Sequence, residues 1–199
     1  MREPCSETGP PGPAVVKMMS ERSLAPGEWA VLALVSEQPT HGWALAVQLG
    51  PAGELGSVWS LGRPLVYRSI DILAERGLIE PAASEPGVRG PNRTIYRTTC
   101  AGATALVQWL NEPVEHVRDV RSLLLLKLIF AERTGIDPTP MLEAQHAAVR
   151  DAVATLEQRM RSSSGSEAIL LRFRLESTKA VRRFVLGLLD ERRELRAAV

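Results

Sequence analysis

The stretch from Trp59 to Ile79 constrains the fold more than any other part of the chain. Pro64 suits a first helical turn, where its missing N–H costs nothing. Gly77 suits the left-handed residue just past a last turn. Between them Val66, Ile70 and Leu73 stand at i, i+4 and i+7 and make one apolar stripe. The opposite side carries Arg63, Tyr67, Arg68 and Ser69. Such a helix is braced by its stripe and offers cations, donors and an aromatic to something anionic. A polar face is also what any solvated surface helix carries, so the neighbouring segments must decide between the two.

Those neighbours complete a pattern. A first helix is predicted from Pro26 to Glu37, with Pro26 in its first turn, Glu28 near its positive end and Gln38-Pro39 ending it. Thr40 is an N-cap for a second helix, Gly42 to Leu49, closed by Gly50-Pro51. After the Pro64 helix come an extended run, Leu78-Ile79-Glu80, and an alternating one, Arg93 to Thr98. A Gly- and Pro-containing loop with Arg89 and Asn92 joins them, and Thr99 can cap a helix from Ala101 to Leu110. Helix, helix, helix, ribbon is the order of a winged helix-turn-helix with a two-stranded wing, whose third helix enters the major groove. The basic residues Arg63, Arg68, Arg76, Arg89, Arg93 and Arg97 lie where that motif needs them.

Composition narrows the alternatives. With 199 residues, 45% hydrophobic and 24% charged, the chain can hold one large or two small globular domains. A net charge of +1 excludes a uniformly basic, histone-like binder but not a basic face. Cys5 and Cys100 are far apart, and His41, His116 and His146 are scattered, so neither a disulfide nor a metal or cofactor site is expected. There is no Gly-rich phosphate loop, carboxylate pair near a cleft or nucleophile motif, and no enzyme is expected. The longest apolar run, Leu123 to Leu126, stops at Lys127, and no signal-peptide core stands at the N-terminus, so the expected location is cytoplasmic. Residues 1–22 are rich in Pro, Gly, Ser and Glu and are expected to be a disordered tail. Met18-Met19 marks a candidate translation start just before the folded part.

Residues 112–199 change character and form a predicted helical dimerisation domain beside a DNA-binding domain at 23–111. Helices are expected over Val117–Arg133, Pro140–Arg161 and Glu167–Ala197, the last two separated by Ser162-Ser163-Ser164-Gly165-Ser166. In the last helix Leu171, Leu175, Thr178, Val181, Val185 and Leu188 keep near-heptad spacing. That seam is read as the dimer interface, with intramolecular core as the competing reading. The fold class is therefore mainly α.

Three segments together resemble the PadR family of bacterial transcriptional regulators. They are Thr40-His41-Gly42-Trp43-Ala44-Leu45, then Leu65-Val66-Tyr67-Arg68-Ser69-Ile70 through Arg76-Gly77-Leu78-Ile79, and Tyr96-Arg97-Thr98-Thr99 with Ala101-Gly102. Trp43 takes the position of the family's usual Tyr, Cys100 that of a common Pro, and Pro64-Leu65 that of the commoner Gly-Thr. The resemblance implies a homodimeric repressor on double-stranded operator DNA, released by a small-molecule effector, commonly aromatic or amphipathic. A winged-helix module that binds another protein without DNA is the alternative.

The expected DNA contacts are Thr40, His41, Arg63, Tyr67, Arg68, Ser69, Arg89, Asn92 and Arg93. Arg68 would pair with a guanine edge or hold a phosphate, and the residue type alone does not choose. For His41 a packed or solvated histidine competes with a phosphate contact. Thr40 would cap its helix and bring the first N–H groups near phosphate. Trp29, Trp43, Trp59 and Trp109 are candidates for core or for an effector pocket.

Overall fold

The computed structural model describes residues 23–86 and 92–197. The chain divides into two compact units, one up to Leu106 and one from Val107.

The N-terminal unit is built around helix α1 (Pro26–Glu37). Ala30 to Val35 are buried without a break, so α1 is an interior helix rather than an amphipathic surface one. Its start is fixed from inside, because the buried Glu28 carboxylate accepts from the Ala25 N–H at 2.8 Å. Strand β1 (Thr40–His41) leads directly into α2 (Gly42–Gln48). A closed loop then returns the chain, with Leu61 N–H donating to Leu49 C=O at 2.8 Å. Helix α3 (Arg63–Glu75) follows, with Pro64 in its first turn and Gly77 left-handed at φ 66° after its end, as the sequence requires. Val66, Ile70 and Leu73 are buried.

The wing consists of β2 (Ile79–Glu85) and β3 (Arg93–Thr98), antiparallel, with a shift of register between Pro81 and Ala83. Pro81 cannot donate to a ladder, which suits it to an edge strand and a bulge. The sheet has three strands, not the two expected. β1 adds to the other side of β3, with Thr40 opposite Tyr96 and His41 opposite Ile95. A strand of two residues carries too little alternation to be legible in sequence.

Helix α4 (Cys100–Asn111) starts at the Thr99 cap, whose Oγ1 accepts from Gly102 N–H at 3.1 Å. The same hydroxyl is placed to donate to Gly77 C=O at 2.7 Å and ties α4 to the end of α3.

In the C-terminal unit, the single helix expected over Val117–Arg133 is instead a 3₁₀ turn (Val117–Asp119), a π turn (Val120–Leu124) and helix α5 (Leu125–Thr134). Apolar content predicts burial there but does not encode the winding. Helices α6 (Thr139–Met160) and α7 (Gly165–Ala197) follow. Val114, Val120, Leu124, Met141, Leu142, Val185 and Leu189 form one core. The buried Gln145 amide grips the backbone of Val114, accepting from its N–H at 2.6 Å and donating to its C=O at 3.1 Å.

The near-heptad seam of the last helix is corrected by this packing. Leu171, Leu175, Thr178 and Val185 are buried within the single chain, and Val181 and Leu188 pack against its core. Heptad spacing signals that a helix packs on another, not whether the other belongs to the same chain. A different face of α7 is left open, carrying Ile169, Leu170, Phe173, Phe184 and Leu195. Among the described residues no helix is long and apolar enough to cross a membrane.

Candidate nucleic-acid interface

The outward side of α3 exposes Arg63, Pro64, Leu65, Tyr67 and Arg68. Its stripe of Val66, Ile70 and Leu73 fixes that orientation from the opposite side. Two expected contacts do not join them. Ser69 is buried, and its hydroxyl donates to Leu65 C=O at 2.9 Å inside the helix. Thr40 is buried in β1, and the N-cap of α2 falls one residue later than expected, at His41. His41 Nδ1 accepts from Ala44 N–H at 3.1 Å, which leaves the neutral ring's proton on Nε2. Asn92 and Arg93 are exposed at the start of β3. Arg89 lies outside the described residues.

Arginines with and without acidic partners occur in both units, so position on the fold, not pairing alone, marks this surface. Arg97 of the wing is neutralised across the strands by Glu80 at 2.7 Å. In the other unit Arg150, Arg193 and Arg196 each face an aspartate, while Arg161, Arg172 and Arg174 have no carboxylate within ion-pair distance among the described residues. Among the described residues Arg63, Arg68 and Arg93 have no carboxylate within ion-pair distance. Two of these three guanidiniums lie over aromatic rings instead: Arg63 over Tyr67 at 5.7 Å, and Arg93 over Trp43 at 5.8 Å.

Exposed apolar side chains gather on the same helices. Within the described N-terminal unit the large hydrophobics left open are Trp43, Val47, Leu65 and Tyr67, all on α2 or α3. Of the four tryptophans, only Trp43 was missed as a surface feature of this site, and its 51% exposure is the reverse of the core reading. Trp109 is buried beneath Lys127, and Trp29 and Trp59 are half-buried. Trp59 Nε1 is buried with no partner among the described residues. No group of three His, Cys, Asp or Glu side chains among the described residues could hold a metal ion.

Three helices closed by an antiparallel ribbon, with unpaired cations on the third helix and at the ribbon, define a winged helix-turn-helix. Residues 31–108 match the family model described as the transcriptional regulator PadR-like family. Over those residues the chain is similar to the PadR-like family of transcriptional regulators. No curated protein matches the sequence. Among solved structures, the chain is similar to Bacillus subtilis PadR in complex with operator DNA, at 17% identity over 85% of this chain and 99% of that one, TM-score 0.45. It is similar to Bacillus subtilis PadR in complex with p-coumaric acid at 19% identity, over 84% and 98% of the two chains, TM-score 0.40. It is also similar to the Vibrio cholerae virulence activator AphA at 20% identity, over 85% and 99%, TM-score 0.38.

Proposed function

We propose that the protein is a homodimeric, sequence-specific DNA-binding repressor whose α3 enters the major groove of an operator half-site. The observation that carries this reading is the placement of three guanidiniums without acidic partners, Arg63, Arg68 and Arg93, on the third helix and the wing of a winged helix-turn-helix. An arginine left without a carboxylate in a nearly neutral protein is available to a phosphate or a base edge. Arg68 stands on the most outward line of α3 and is assigned to a guanine edge or the phosphate beside it. Arg63, Arg93, Asn92 and Arg89 are assigned to the backbone, Tyr67 to the groove wall, and the His41 Nε2–H to a phosphate oxygen.

Dimerisation is assigned to the open face of α7, where Ile169 and Phe173 are 74% and 71% exposed. Apolar area of that kind is costly to leave in water, and an isologous pairing of two α7 helices would cover it while presenting two α3 helices to one duplex. Release by a small-molecule effector is the expectation carried by the resemblance of residues 31–108 to the PadR-like family.

The test is a gel-shift titration of the full chain on the DNA preceding its own gene, repeated across salt concentrations. Affinity should fall steeply and log-linearly with salt. Absent or salt-independent binding would overturn the reading and favour a winged-helix module that binds protein.

A further inference from the structure

We propose that the run His41-Gly42-Trp43 is a positioning device that seats two arginines contributed by other elements, Arg93 of β3 and Arg63 of α3. The inference deepens the DNA-binding reading and rests on it.

The geometry is specific. Trp43 leaves α2 on its outward side and stays half in solvent, where a bare indole of that size is costly to expose. The Arg93 guanidinium covers it, 5.8 Å from the ring centroid. His41 flanks the same indole with ring centroids 6.2 Å apart, and its own ring is fixed by the bond from Ala44 N–H. Gly42 between them does the matching work for the other arginine. A β-carbon on Gly42 would stand 2.7 Å from Tyr67 Cε1, so the absence of a side chain is what lets the phenol ring lie there. Arg63 then rests 5.7 Å from the centroid of that ring.

Each arginine is therefore held by a face, not by a carboxylate. An acidic partner would hold a guanidinium equally well but would cancel its charge and compete with phosphate for its donors. An aromatic seat leaves the charge whole and the N–H donors at the guanidinium edge free while removing rotamer freedom before binding. Trp43 and Tyr67 are positioning residues in this account, and Arg93 and Arg63 are the groups they position.

The experiment is a double-mutant cycle on the full chain with Trp43→Leu and Arg93→Ala. The probe is a duplex selected by the wild-type protein from a random-sequence library. Trp43→Leu should lower affinity about threefold per half-site, as loss of an exposed cation–π contact predicts. It should leave the salt slope unchanged, because the charge of Arg93 remains. Arg93→Ala should lower the salt slope by about one per half-site. In the Arg93→Ala background Trp43→Leu should have no further effect, and Trp43→Phe should retain most of wild-type affinity. Equal losses from Trp43→Leu with and without Arg93 would overturn the seat while leaving DNA binding intact. Failure of the wild-type chain to bind any duplex in a salt-sensitive way would overturn both readings.

Discussion

The edge of the Tyr67 ring lies against the Cα of Gly42, so close that a β-carbon there would sit 2.7 Å from Cε1 and 3.0 Å from Cζ of the phenol. Ile70 Cδ1 would be 3.1 Å away. Gly42→Ala should separate folding from binding. Tyr67 is partly exposed and can swing outward, and alanine is favoured over glycine in a helix by up to about 1 kcal/mol. Stability should therefore change by less than about 1 kcal/mol in urea unfolding. DNA affinity should fall by roughly threefold or more, because the displaced ring no longer seats Arg63. A variant that binds as wild type would show that the ring's position is irrelevant.

Arg68→Ala should weaken DNA binding about tenfold or more, with the oligomeric state unchanged in sedimentation. The pattern across sequences assigns the contact. A bidentate bond to guanine predicts lost discrimination of about 1–3 kcal/mol at one base pair. A phosphate contact predicts uniform weakening and a salt slope lower by about one per half-site. Wild-type affinity in this variant would remove Arg68 from the interface.

Much of this surface was legible in sequence because helix punctuation and polar spacing are local signals. Pro64, Gly77 and the Val66–Ile70–Leu73 stripe placed α3, and the outward Arg63, Tyr67 and Arg68 followed from the stripe. Ser69 and Thr40 were misplaced for two physical reasons. A serine beside a buried stripe can satisfy its hydroxyl on its own helix, as Ser69 does on Leu65 C=O. Thr40 looks like a cap by residue type, but pairing with Tyr96 draws it into the sheet and hands the cap to His41. Aromatic seating was invisible because Trp43 and Arg93 are fifty positions apart and meet only once β1 has paired with β3. The α7 seam shows the same limit, since periodicity names a packing face and not its partner.

Gly102 is a fold residue, not a binding one. A β-carbon there would stand 2.0 Å from Leu78 C=O, a backbone atom that cannot swing aside, and 2.9 Å from Thr98 Cγ2. The close approach lets Thr99 Oγ1 bridge Gly77 C=O and the Gly102 N–H. Gly102→Ala should destabilise the N-terminal unit by about 3 kcal/mol or more, as forced overpacking against backbone does. Gly187→Ala, with nothing near its added carbon, should be neutral or stabilising. Equal melting temperatures for the two variants would contradict the packing described.

Lys127 is 3% exposed, and its ammonium donates to the carbonyls of Trp109 and Glu112 at the end of α4 and lies 4.6 Å from the Trp109 ring centroid. Burial lowers its pKa from 10.5 to about 8, against an opposing pull from the Glu112 carboxylate. Between those values the unfolded chain holds more protons than the folded one, so stability contributed by this site rises with pH from about 8 to 10.5. The rise should approach roughly 3 kcal/mol across the window, at about 1.4 kcal/mol per unit. Lys127→Met cannot titrate, so the difference in urea midpoint between wild type and variant should shift in favour of wild type across that range. A constant difference would contradict a neutralised folded lysine.

The two apolar faces of α7 predict opposite phenotypes. Leu175 is buried against its own chain, and Leu175→Ala should cost about 2–5 kcal/mol and unfold the C-terminal unit at lower denaturant. Phe173 is two residues earlier and exposed, so Phe173→Glu removes little that the single chain buries. Phe173→Glu combined with Ile169→Glu should leave helix content and the urea midpoint of the monomer close to wild type, yet shift sedimentation from dimer to monomer. Operator affinity should then fall by about 10²-fold or more, because two half-sites are no longer engaged by tethered reading helices. Deleting α7 would not make this distinction, since the truncation would strip the inner core as well. If the double variant still sediments as a dimer, the open face of α7 is not the dimer interface.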